Sequence, residues 1–391
     1  MFSAQNPHNT YMSQPNLIVD AHLDLALNMV RKLIDHTKPI GELRQLENRE
    51  AQQAMTSLPE FARGNVALVF GTIFAVPADL GFAKNAFSSS DQGYLTPEEA
   101  ELQGLEQLAV YETWAQDGLI RLITSRAVLE DHLKRFTTDR VPGLLVLMEG
   151  ADPIKTVSDL EMWWSRGVRA IGLTWGRTRY AGGTGAPGGL TPEGRELLTA
   201  MRERGMILDT SHLAEQAFYE ALEFYPDRIM ATHSNPRALL VSPIPDPVIP
   251  ADRHLSDEMI RAIGTRGGMA GLNLINYFLE PRWTFTDQST PVSIFDQCRR
   301  ILEHNAALIG WESVGIGSDF DATMSLDCSP MELDTIADFA RFAEVVPAKA
   351  RAGVLGENWL RFLRVSLPKN SRNVKRMPRK PSISQHWEKE I

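Results

Sequence analysis

Residues 17–27 read LIVDAHLDLAL, an apolar, β-branched run into which Asp20, His22 and Asp24 are set at even spacing. Its length and composition are those of a buried strand. Side chains two apart on a strand share a face, so alternation predicts that Asp20, His22 and Asp24 project together, with His22 and Asp24 where the strand ends. Buried charges require partners or a metal ion to offset their desolvation. The stretch therefore predicts a strand that delivers ligands, with Asp20, deeper in it, in a supporting role.

Seven more runs of the same kind follow: residues 66–76, 144–149, 169–174, 206–210, 228–232, 268–275 and 313–318. Between them lie amphipathic stretches such as EEAELQGLEQLAVYETWAQ (98–116), TPEGRELLTAMRERG (191–205), HLSDEMIRAIGTRG (254–267) and FDQCRRILEHNAALIG (295–310). Thr191 followed by Pro192 makes a good helix start. Eight buried strands alternating with helices predict a parallel α/β sheet closed as a (β/α)8 barrel. The domain prediction is a flexible segment over 1–16, a single barrel over 17–367 and a disordered basic tail over 368–391. The stretch after Val76 reads as an extended loop over the barrel mouth. A stiff insertion carries Pro243, Pro245, Pro247 and Pro250, and AGGTGAPGG (181–189) reads as a mobile rim loop.

A formal net charge of -9 argues against nucleic acid as partner, because phosphate binding needs clustered positive charge. No run of about 18 apolar residues offers a membrane span. Without a leader-like N-terminus, and with only Cys298 and Cys328, the expected compartment is the cytoplasm. A small-molecule substrate is the expectation.

Other predicted strands end in the same vocabulary as the first. LLVLMEG ends in Glu149, MILDTSH in Asp209 and His212, RIMATHS in His233, and VGIGSDFD in Asp319 and Asp321. Barrel enzymes carry their chemistry at the C-terminal ends of the strands. Histidine and carboxylate together suit zinc, with manganese, iron or cobalt as alternatives. Asp209 and Asp321 read as turn caps or as second partners of ligating histidines. His8, His36, His132, His304 and His386 read as surface or structural.

The ordered motifs HLD, MEG, LDTSH, ATHSNPRAL and GIGSDFD, closed by VLGENWLRFL, resemble the membrane dipeptidase family, peptidase family M19, from about Leu17 to about Leu363. The resemblance implies two zinc ions, one held by His22 and Asp24, the other by His212 and His233, with Glu149 bridging them. It further implies Asp319 as the proton-transferring acid/base and Arg253 as the anchor of a dipeptide's terminal carboxylate, with Arg237 the competing position. The implied reaction is hydrolysis of a dipeptide by a hydroxide bridging the metals, and a homodimer is compatible with it. The chain departs from the family pattern at Trp175, which stands where members such as the renal enzyme place a substrate-contacting histidine. An indole donates one hydrogen bond and accepts none, so Trp175 either contacts the substrate or packs at the strand end. Two other functions stay open on sequence: hydrolysis of another small amide, lactam or ester, and a non-catalytic metal-binding interaction module.

Overall fold

The computed structural model describes residues 16–79, 93–240, 250–284, 287–322 and 326–370. Most of the segment after Val76, most of the proline-rich insertion, nearly all of the N-terminal segment and the tail from residue 371 lie outside these residues.

Eight parallel strands close into a ring: β1 (Ile18–Leu23), β2 (Val66–Phe74), β3 (Gly143–Glu149), β4 (Val168–Gly172), β5 (Ile207–Asp209), β6 (Ile229–Ala231), β7 (Met269–Leu272) and β8 (Val314–Ile316). Each pairs with the next, and β8 returns to β1 through Asp20 opposite Ile316. All eight coincide with the apolar runs read from sequence. Their outward side chains, among them Ile18, Val69, Val146, Ile171 and Leu208, pack with apolar residues of the surrounding helices. Inward residues such as Val19, Leu68, Phe70, Leu145 and Leu147 form a second cluster.

Local chemistry explains the connecting helices. Thr191 accepts the Gly194 N–H at 3.1 Å and starts the helix Pro192–Glu203; Ser256 does the same for Asp257–Thr265. Thr96 and Glu99 form a reciprocal cap on Pro97–Gln116. The helix Asn358–Ser366 lies beneath the barrel, where Trp359 donates from Nε1 to the Ile316 carbonyl at 3.0 Å and packs edge-on against Phe70.

Two expectations are corrected. The glycine-rich 181–189 stretch is not a loose loop. It forms an antiparallel hairpin, Ala181–Gly183 with Ala186–Leu190, in which the backbones run so close that a Cβ on Gly182 would lie 2.6 Å from Gly188. The glycines are there for close approach rather than for mobility. The even spacing of Asp20, His22 and Asp24 also does not aim all three at one face. Register against β2 shifts between Asp20 and Leu23, the mark of a bulge. Val19 and Ala21 sit in the interior cluster while Ile18 and Leu23 join the outer layer. Alternation from Ala21 would turn His22 outward, and the bulge brings it in. Asp20 stays on the opposite side, where it accepts the Ser318 N–H at 2.8 Å and the Ser318 hydroxyl at 2.5 Å. Among the described residues, no helix is long and apolar enough to cross a membrane.

Candidate metal centre

The C-terminal ends of the strands bring His22, Asp24, Glu149, His212, His233 and Asp319 together. Glu149, the last residue of β3, is the hub. Its Oε2 lies 3.3 Å from His22 Nε2, and its Oε1 lies 3.2 Å from His212 Nε2 and 3.3 Å from His233 Nε2. Asp24, just past β1, takes a hydrogen bond from the Thr72 hydroxyl of β2. Asp319, just past β8, places Oδ1 4.0 Å from His22 Nε2, while its Oδ2 accepts from Asn273 Nδ2 at 2.8 Å. His212 and Asp319 hold left-handed backbone angles, φ 65° and 64°, which side-chain-bearing residues adopt at a cost. The turns after β5 and β8 are bent to deliver these two side chains.

Three groups of side chains could hold cations: Glu149 with His212 and His233, His22 with Asp24 and Asp319, and His22 with Asp209 and His233, the last sharing a residue with each of the others. Hydrogen bonding supports this use. His212 Nδ1 is 3.0 Å from the Thr184 hydroxyl on the hairpin, and His233 Nδ1 is 2.9 Å from the Thr232 hydroxyl. With those nitrogens engaged, His212 Nε2 and His233 Nε2 face each other at 3.0 Å. Where both Nδ1 atoms carry the ring proton, the two facing lone pairs repel at that distance unless a cation stands before them. His22 Nε2 is buried without a hydrogen-bond partner, as an imidazole aimed at a metal would be.

The electrostatics agree. Burial lowers the His22 pKa, but the Glu149, Asp319 and Asp24 carboxylates outweigh it and hold it at about 10, so this point in the site attracts positive charge. Burial, with the Arg253 charge, takes His212 down to about 4, and burial with His22 and Arg253 takes His233 well below its ordinary value; both are neutral, as ligands must be. Burial pushes Glu149 up, yet the three histidines overcome it and keep the carboxylate well below its usual range. Asp24 and Asp319 are both raised, chiefly by burial.

Arg253 lies in a short 3-10 turn (Ala251–Arg253) and is buried against the site. It donates to Ser234 Oγ and to the His233 carbonyl, both at 3.0 Å, over the Phe278 ring. Arg237 is engaged elsewhere, paired with Glu215 at 2.8 Å. The Trp175 ring centroid stands 6.0 Å from that of His212 and 5.4 Å from that of Phe74. With Thr184, Arg177 and Asp152 it lines an open cavity of about 530 Å³ beside the cluster. Asp321 is not part of the cluster; it accepts from Met55 N, Thr56 N and the Thr56 hydroxyl. Thr72, Thr184, Thr232 and Asn273 escaped the sequence reading, since hydroxyls and amides are unremarkable at strand ends. The threonine preceding His233 in ATHSN was the nearest thing to a signal.

A closed (β/α)8 barrel with histidines and carboxylates converging at its C-terminal rim defines a class, the metal-dependent barrel hydrolases. The chain belongs to the membrane dipeptidase family, peptidase family M19, whose family model matches residues 10–375. It is thus a metal-dependent hydrolase of peptide bonds. An uncharacterised protein in the pqqA 5′ region of Klebsiella pneumoniae is 30% identical over 279 residues, 68% of this chain and 94% of that protein. Dipeptidase tcpJ of Claviceps purpurea is 26% identical over 44% of this chain and 35% of its own length. Among solved structures, a Rhodobacter sphaeroides metallo peptidase liganded with a phosphinate mimic of the dipeptide L-Ala-D-Ala superposes with TM-score 0.71 at 23% identity, covering 90% of this chain and 100% of that one. A dipeptidase of family M19 gives TM-score 0.70 at 24% identity, covering 90% and 99%.

Proposed function

We propose that the chain is a zinc dipeptidase in which His22, Asp24, Glu149, His212 and His233 hold two ions. The observation that carries the reading is the convergence of three ring nitrogens, from three separate strand ends, on the single Glu149 carboxylate. When bound, the ions supply Lewis acidity for the scissile carbonyl and acidify a water. The chain's own residues do the rest. Asp319 takes the proton of the attacking water on Oδ1, the oxygen facing the cluster, and returns it to the leaving amine. Asn273 holds the other oxygen. Arg253 pairs with the free carboxylate of a short peptide and fixes where the carbonyl lies. Trp175 shapes the cavity beside His212. The names of tcpJ and of the phosphinate-liganded neighbour support dipeptides as the substrate class.

The indole at the rim also favours a second reading, hydrolysis of another small amide, lactam or ester, since metals and Asp319 serve any such carbonyl. A panel of L,L and L,D dipeptides, offered to zinc-loaded protein, separates the two: cleavage is expected, and failure on every member would leave the broader hydrolase. Asp319→Asn should lower kcat by at least about 100-fold with zinc content unchanged. Full activity in that variant, or fewer than two ions bound at saturation, would refute the mechanism.

A further inference from the structure

The Thr232 hydroxyl, fully buried between β6 and the ligand His233, takes no part in the reaction just described, yet it touches both halves of the cluster. Its Oγ1 is 2.6 Å from Asp209 Oδ2, 2.9 Å from His233 Nδ1, and 3.3 Å from His22 Nδ1 and from Ser211 Oγ. Asp209 is itself fastened, its Oδ1 accepting the backbone N–H groups of Ser211 and Thr232 at 3.0 Å each.

A hydroxyl has one proton and two lone pairs. The shortest contact is to a carboxylate oxygen, an acceptor, so the proton goes to Asp209. The two lone pairs then match the two imidazole nitrogens, which must each carry a proton on Nδ1. That tautomer leaves both Nε2 lone pairs free toward Glu149. The His22 and His233 rings lie together over this anchor, with centroids 3.6 Å apart. His212 is held separately, by Thr184.

We infer that Thr232, oriented by Asp209, is a positioning residue that fixes the tautomers of one histidine from each metal site, so that a single hydroxyl governs the affinity of both ions. This rests on the two-ion reading above. A hydrogen-bond partner behind a ligating histidine typically contributes 10–100-fold to metal affinity; here one partner serves two ligands.

The test is a titration of metal-free protein with Zn2+ against a chromophoric chelator, which returns both stepwise dissociation constants. Thr232→Val keeps the shape and removes the hydroxyl. Asp209→Asn keeps an oxygen for the two backbone N–H groups but sets an NH2 group against Thr232. The Thr232 proton must then turn to an imidazole, forcing that ring into the wrong tautomer. Thr232→Val should weaken both steps by about 10–100-fold, Asp209→Asn should weaken the step that belongs to the ring it turns, and Thr232→Ser should restore both steps. Thermal melts of the metal-free proteins establish that each variant is folded, and Asp209→Asn carries the test alone if Thr232→Val is not. Wild-type affinity at either step in folded Thr232→Val, wild-type affinity at both steps in folded Asp209→Asn, or a Thr232→Ser loss as large as that of Thr232→Val, would overturn the inference. A wild-type protein that takes up fewer than two ions would instead remove the dinuclear reading on which it stands.

Discussion

Asn273 stands to Asp319 as Thr232 does to the histidines. It is buried, its Nδ2 holds Asp319 Oδ2, and its own Oδ1 is occupied by the Ile275 N–H at 2.9 Å, which settles which end of the amide faces the acid. Asn273→Ala should lower kcat about 10- to 150-fold, the worth of one hydrogen bond to a charged group, with KM little changed, because the carboxylate loses its orientation and the substrate keeps its contacts. Steady-state kinetics on the zinc-loaded variant checks this; a change confined to KM would place Asn273 in binding instead. At this scale the titratable residues of the cluster were legible in the sequence for a physical reason. A charge in an apolar strand is an anomaly that demands a partner, whereas a threonine or asparagine at a strand end demands none, so the groups hydrogen-bonded to the cluster passed unnoticed. Asp20 shows the limit of the same signal: it was as anomalous as His22, and its partner is Ser318, not the metal site.

At the scale of elements, the strands were readable from apolar runs and the helices from their caps. The bulge in β1 was not, because it depends on how β1 pairs with β2. Close approach is the second device that only packing reveals. A Cβ on Gly271 of β7, or on Gly317 just past β8, would lie 1.8 Å from the Thr232 carbonyl oxygen. Both strands thus crowd the segment that carries Thr232 and His233, and only glycine permits it. Gly271→Ala should cost about 3 kcal/mol, at the upper end for overpacking, because the obstacle is backbone rather than a movable side chain. Urea unfolding would show it, and a loss below about 1 kcal/mol would mean that the strands can part. The hairpin at 181–190 teaches the same lesson: its glycines read as looseness, but they let two backbones meet and bring Thr184 to His212.

For the whole molecule, ring closure decides everything else. Residues as far apart in the chain as Asp20 and Ser318, separated by 298 positions, and likewise His22 and Asp319, become neighbours because β8 returns to β1. The lower end of the ring is stopped by Trp359, which is wholly buried and bonded to β8, with Leu360 and Leu363 in the same cluster. Trp359→Ala should destabilise the fold by about 3–5 kcal/mol, since the cavity it leaves is walled by strands that cannot collapse. Zinc affinity of the protein that remains folded should be unchanged, because the cluster sits at the other end of the barrel. Denaturant melts and metal titration measure the two effects separately.

Sequence by itself determined the eight strands, the barrel they imply and the titratable residues at their ends, because burial, alternation and the cost of isolated charge are local properties that the order of residues records. Tertiary structure alone decided which of those charges meet, that a bulge and not even spacing turns His22 inward, and that Thr232, Thr184 and Asn273 hydrogen-bond to the cluster. Those outcomes depend on hydrogen bonds and close contacts between segments far apart in the chain, and their geometry exists only once the ring has closed.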